Sequence, residues 1–140
     1  MKLEKDFWRN PDLGLVFVRL SVGGLMLFHG FHKLFGGIDG IAGMLEAHGL
    51  PGFIAYGALF AEVVAALMIV LGVWTRLASA VMVGNMVVAV LMAHAALIFS
   101  VDPATGGWAI ELPMLYLLPA VGLCFTGGGK YALTKNDIFS

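Results

Sequence analysis

Four stretches of the chain run for about five helical turns or more with almost no charge. Residues 13–35 (LGLVFVRLSVGGLMLFHGFHKLF) are interrupted by Arg19, His29, His32 and Lys33, and residues 53–74 (FIAYGALFAEVVAALMIVLGVW) by Glu62 alone. Residues 77–99 (LASAVMVGNMVVAVLMAHAALIF) carry no formal charge but contain Asn85 and His94. The last, 108–126 (WAIELPMLYLLPAVGLCFT), has Glu111 near its start and Pro119 inside, where a kink is expected. About 20 apolar residues at 1.5 Å each cross the hydrocarbon core of a bilayer, so each stretch predicts a spanning helix. The first is too long and too rich in Arg and His for a secretory leader and lacks a small-residue cleavage site, so it is expected to be retained. Between the first two, loop 36–52 predicts a short helix. Asp39 would cap it, Ile41, Met44 and Leu45 would form its apolar face, and Gly49 with Pro51 would end it. Loop 100–107, with Asp102-Pro103 and Gly106-Gly107, predicts a tight turn.

Composition sharpens this. Of 140 residues only 8 are basic and 9 acidic, 60% are hydrophobic, and mean hydropathy is +0.93. An ordinary soluble domain is about a quarter charged. A soluble monomer, a disordered chain and a free-standing nucleic-acid binder are excluded. The single cysteine, Cys124, closes no internal disulfide and forms no dithiol pair. The fold expected is all-α: a polytopic membrane protein, one domain over residues 1–140, built as an antiparallel bundle of four transmembrane helices with a short interfacial helix in the first outer loop. Gly23, Gly24, Gly30, Gly57 and Gly84 are expected to let helices approach closely. Orientation follows from the basic residues. Lys2, Lys5, Arg9, Arg76, Lys130 and Lys135 fall on the side of the termini and Lys33 on the other, which predicts cytoplasmic termini in the plasma (inner) membrane.

Function is then sought in the polar residues that a membrane rejects. Counted from the outer ends of the spans, His94 lies about 8 Å deep, His29 about 9 Å and Glu62 about 13 Å. Glu111 lies at only about 5 Å, while Asn85 and Arg19 are about 21 and 24 Å deep. Helical side chains lean toward their own N-terminus. His29 and His94 therefore lean inward and Glu62 outward, so the three can converge in the outer half. Arg19 leans the other way, which argues against an Arg19–Glu62 pair. At 100° per residue Arg19, Met26, His29 and Lys33 share one stripe of the first helix, within about 80°. Asn85 and His94 lie about 180° apart; His94 is expected to face inward and Asn85 to bond a neighbouring helix. A buried carboxylate such as Glu62 costs several kcal/mol unless it is paired, protonated or near water.

Several of these residues sit in a recognisable pattern. Arg19 with Gly23, then Phe28-His29-Gly30 and Lys33-Leu34, mark the first helix. Gly49-Leu50-Pro51, Glu62, Leu71-Gly72 with Thr75-Arg76, His94, and Gly106-Gly107 with Glu111 follow in order. This pattern resembles the DoxX family of small four-helix membrane proteins. In the tail, Gly127-Gly128-Gly129-Lys130-Tyr131-Ala132-Leu133 approximates the family's glycine-rich ending, with Thr134 where an Asp is usual. The resemblance implies association with membrane oxidoreductase systems, among them thiosulfate:quinone oxidoreduction.

Three readings follow. In the first, His29, Glu62, His94 and Glu111 are the catalytic, proton-handling residues of an outer-half pocket for a quinone, with Arg19 and Lys33 binding substrate and Lys33 guiding an anion into the outer opening. A partner oxidoreductase, soluble or membrane-bound, would then supply electrons. A metal held by the histidines and carboxylates, or a haem between His29 and His94, ranks behind the quinone. In the second reading the chain is a non-catalytic anchor for a partner, or self-associates, with the polar residues serving helix specificity. The third is a small-solute transporter. The structural alternatives are hydrogen bonds between helices for the histidines, snorkelling for Arg19 and a favourable first-turn position for Glu111.

Overall fold

The computed structural model describes residues 7–140. Lys2 and Lys5, two of the six basic residues behind the expected orientation, lie outside the described residues. Three helices are long and apolar enough to cross a membrane: α1 (Pro11–Gly36), α3 (Gly52–Leu71) and α4 (Thr75–Ala93). The short α2 (Asp39–Ala47) joins α1 to α3, and α5 (Glu111–Thr126) is apolar but shorter. No strand occurs among the described residues beyond one isolated bridge, Val101 to Trp108.

Local chemistry sets the boundaries. The Asn10 side chain accepts the Leu13 N–H and Pro11 opens α1, so the first span starts two residues before the apolar run. Asp39 does not cap α2: Ile38 takes that position, and Asp39 is the first helical residue, where its charge suits the dipole. Leu50 N–H bonds to Leu45 O and Gly49 adopts φ +78°, which ends α2 as expected. α4 stops at Ala93 and not near Phe99. His94 leaves the helical region (φ −132°, ψ 9°), one 3-10 turn (Ala95–Leu97) follows, and the Trp108 indole and the Ala109 N–H then donate to Ile98 O and Ser100 O. α5 begins at Glu111 and passes through Pro119 as one helix.

Residues of α1, α3, α4 and α5 meet in one core, with Val22, Met26, Ile69, Met82, Ala120 and Leu123 essentially sealed from solvent. Both α1 and α3 contain a π turn, at Leu20–Gly24 and Ala61–Ala65. A π turn inserts one residue into the helical repeat and delays the face by about 100°. The expected stripe is nevertheless not uniform: Arg19 and Met26, on either side of the π turn in α1, are both buried, whereas His29, about 60° round the regular helix from Met26, is exposed.

Two of the five glycines named above make the close approach. A Cβ on Gly23 would overlap the Ala66 carbonyl, and one on Gly30 would overlap the carbonyl of Glu62, so α1 lies directly on the backbone of α3. Gly24, Gly57 and Gly84 face open space. At the other end, Gly72 (φ +75°) and Trp74 (φ +44°) turn the chain from α3 into α4. The tail braces this turn. Trp74 N–H donates to Thr134 Oγ1 (2.8 Å), while Phe139 O accepts from Arg76 and Leu77 N–H, two of the open donors of α4. Thr134 thus supplies an acceptor where the resembling family usually has an Asp.

Gly30→Ala is expected to destabilise the protein by about 1–3 kcal/mol, because backbone and not a flexible side chain blocks the new methyl. Gly24→Ala is expected to stay within about 0.5 kcal/mol. Thermal unfolding of both variants in detergent checks this, and equal midpoints would remove the α1–α3 contact as a stability determinant.

Candidate functional site

Gly30 and Lys33 are one turn apart on α1, so the close contact at Gly30 brings Lys33 over Glu62. The Lys33 ammonium lies 2.5 Å from both Glu62 carboxylate oxygens, and donates a hydrogen bond to Oε1. Asn85 of α4 adds a longer amide contact to the same Oε1 at 3.4 Å. Three helices thus converge on one carboxylate. The Glu62 side chain is 6% exposed and that of Lys33 24%, so the ion pair has one buried and one partly open end. Pairing is how this carboxylate tolerates its burial. Oε2 receives no hydrogen bond beyond its contact with the ammonium.

The pair forms the polar patch of an otherwise apolar cavity of about 360 Å3. Ile41, Met44 and Leu45 of α2 line one side, so the predicted apolar face of that helix covers the cavity. Ala58 and Ala61 of α3 with Val88, Ala89 and Met92 of α4 form the walls. Gly57 and Gly84 also line it, and a Cβ at either would meet nothing. These glycines leave the cavity its room and do not draw helices together.

The other sequence candidates lie elsewhere. His29 packs edge-on against the Tyr116 ring of α5 (centroids 5.9 Å apart) and does not line the cavity. His94 is the C-cap of α4, its N–H bonded to Val90 O. The cavity is lined instead by the preceding Met92 and Ala93. Glu111 is exposed in the first turn of α5, with Gly107 packed against its carboxylate. Arg19 is buried at the opposite end of α3 and donates to Ile69 O (3.0 Å), Val70 O (2.8 Å) and Gly128 O (3.0 Å). It satisfies Val70 O, adds a second donor to Ile69 O beside the Gly72 N–H, and ties the end of α3 to the tail. Among the described residues no group of three or more His, Cys, Asp or Glu side chains could hold a metal ion.

Asn85 was placed too deep by the sequence count because α4 ends at Ala93. Measured from that end it lies about 12 Å in, level with Glu62. Opposite charges on neighbouring spans were the sequence signal for the Lys33–Glu62 pair, but the pairing itself depends on how α1 packs on α3.

The arrangement of Gly30, Lys33 and Glu62 lies within residues 14–95, the segment matched by the DoxX family model. The chain belongs to the DoxX family. The match spans α1 to α4 and stops before α5 and the tail. No curated protein and no solved structure matches the chain.

Removing one member of a buried ion pair strands the other. Lys33→Met in this DoxX-family protein is expected to cost about 3–5 kcal/mol, and Lys33→Met/Glu62→Met to recover most of that loss. Denaturant titration in mixed micelles measures both, and a double variant as unstable as the sum of the singles would contradict the pairing.

Proposed function

We propose that this protein crosses the plasma membrane four times with cytoplasmic termini, and that its outer-half cavity binds the head of a membrane quinone as the proton-handling component of an oxidoreductase system. α5 supports the fourth crossing. It is about 24 Å long, apolar, and shares the core of the three longer helices. Arg76, Lys130 and Lys135 lie at the end that carries the termini, which supports the orientation.

One observation carries the functional reading: Lys33, Glu62 and Asn85 are the polar side chains of a cavity whose remaining lining is apolar. Such a site suits a flat, uncharged head with oxygen atoms at its edge and an apolar body. Lys33 and Asn85 would donate to a carbonyl oxygen of the head, and the Glu62 carboxylate would accept from a hydroxyl. Because the Lys33 charge is engaged by Glu62, an anion entering the cavity would meet a site of no net charge. The apolar cover from α2 lowers the polarity around the buried Glu62 end of the pair, which strengthens these interactions. When bound, a quinone would supply two-electron redox chemistry, with the electrons passing to or from a partner protein. The chain's own part is to bind and orient the head and to hold a proton at Glu62.

A hydrogen bond to a charged group contributes about 1.5–3 kcal/mol, so Glu62→Gln is expected to weaken retention of a decyl-tailed benzoquinone by about 10- to 100-fold. Gly84→Leu is expected to do the same by filling the cavity while leaving the ion pair in place. Co-purified quinone, quantified by extraction from protein of unchanged helicity, is the readout. Retention equal to wild type in both variants would refute the quinone reading.

A further inference from the structure

The end of the molecule opposite the ion pair carries a second cavity, of about 420 Å3 and mainly polar, between the tail and the ends of the helices. Its construction depends on the turn Gly127-Gly128-Gly129. Gly127 and Gly129 have φ of +71° and +81°, and a Cβ on Gly128 would overlap the Thr75 hydroxyl. The turn lets the tail fold back beneath α4, where Gly128 N–H bonds to Ser140 O and Arg19 holds Gly128 O.

Arg76, Lys130 and Lys135 line this cleft, and all three are exposed. None forms a salt bridge among the described residues, where the one ion pair is Lys33–Glu62. The two side-chain carboxylates of the cleft are directed into backbone donors. Asp12 Oδ1 accepts from Lys130 N–H (3.0 Å), and Asp137 Oδ1 accepts from Phe139 N–H (2.9 Å) and Ser140 N–H (2.8 Å). Around the cleft the same segment exposes large apolar side chains: Tyr131, Leu133 (70%) and Ile138 (80%), with Trp74 at the neighbouring turn. Apolar and aromatic side chains beside unpaired cations at a helix end are suited to the level of lipid headgroups.

We propose that this cleft binds a phosphate group, held by Arg76, Lys130 and Lys135, and that an anionic phospholipid of the surrounding leaflet presents it. The phosphate would take charge-assisted hydrogen bonds that the three cations do not make among the described residues. The exposed apolar side chains would lie against the acyl region of the same lipid. This site is independent of the quinone cavity and stands or falls without it.

The test uses the full chain in nanodiscs of equimolar phosphatidylglycerol and phosphatidylcholine, with the lipid that stays bound on release counted by native mass spectrometry. Wild type is expected to retain phosphatidylglycerol over phosphatidylcholine by on the order of tenfold. Lys130→Gln/Lys135→Gln is expected to bring that ratio near unity, and Lys130→Arg/Lys135→Arg to restore it. Arg9 is exposed on the same end but outside the cleft, so Arg9→Gln is expected to change nothing, whereas Lys130→Gln alone lowers the ratio several-fold. In a second arm, millimolar inorganic phosphate is added to wild type in neutral detergent. Phosphate binding that Lys130→Gln/Lys135→Gln abolishes supports the site and, without phosphatidylglycerol enrichment, identifies solution as the source. Equal losses from Arg9→Gln and Lys130→Gln would mean diffuse attraction to the leaflet and overturn the site. So would the absence of both lipid enrichment and phosphate binding.

Discussion

A carboxylate held in the apolar half of a helix bundle needs a counter-charge within reach, and the ion pair between Lys33 and Glu62 meets that need at 2.5 Å. Much of the surrounding structure depends on it. Lys33 reaches Glu62 because Gly30, one turn earlier, lets α1 rest on the α3 backbone at that carboxylate's own residue. The π turn in α3 places Glu62 on the side that Asn85 also reaches. Without the glycine contact the helices would separate, and a desolvated charge would remain unpaired at a cost of several kcal/mol. The pair also lines the cavity together with Asn85, so the proposed ligand chemistry would draw on the same two side chains that hold the helices.

The same constraint acts at the other end with different partners. There the open groups belong to backbone, not to an acidic side chain. Arg19 takes the last carbonyls of α3, and the tail takes the first N–H groups of α4 through Phe139 O and Thr134 Oγ1. Because Gly128 O also accepts from Arg19, the buried guanidinium connects α1, α3 and the tail. This explains why a buried arginine so far from Glu62 has no carboxylate partner. Three carbonyl dipoles converge on it instead, two of them at the negative end of α3.

These two ends divide the molecule's work. The Lys33 end has an apolar cavity with a compact, internally neutral polar patch, suited to an uncharged amphiphile. The Arg19 end has a polar cleft whose cations are exposed. α2 belongs functionally to the first, since Ile41, Met44 and Leu45 complete the cavity that α3 and α4 begin. Helices α1, α3 and α4, which build that cavity, are also those covered by the family match, whereas α5 and the tail outside it contribute the core and the cleft.

Much of this was legible in the chain itself. Hydropathy alone indicates helices in a membrane, and the turn residues of loop 36–52 predict α2, because both depend on local composition and spacing. Glu62 was identifiable as a group the membrane rejects, and Lys33 as a charge at the outer edge of its span. Their pairing was not, nor was the exclusion of His29, His94 and Glu111 from the cavity. Those depend on helix phase and helix ends, which two π turns and the early stop of α4 at Ala93 alter by about a quarter of a turn and by several residues. A π turn, a glycine seated on a carbonyl and a tail folded back onto helix ends all arise from contacts between segments far apart in sequence. The sequence by itself determined that apolar, membrane-type helices dominate the chain and which of their polar residues need partners. The tertiary structure decided which partner each one found, because partnership depends on distances that only packing sets.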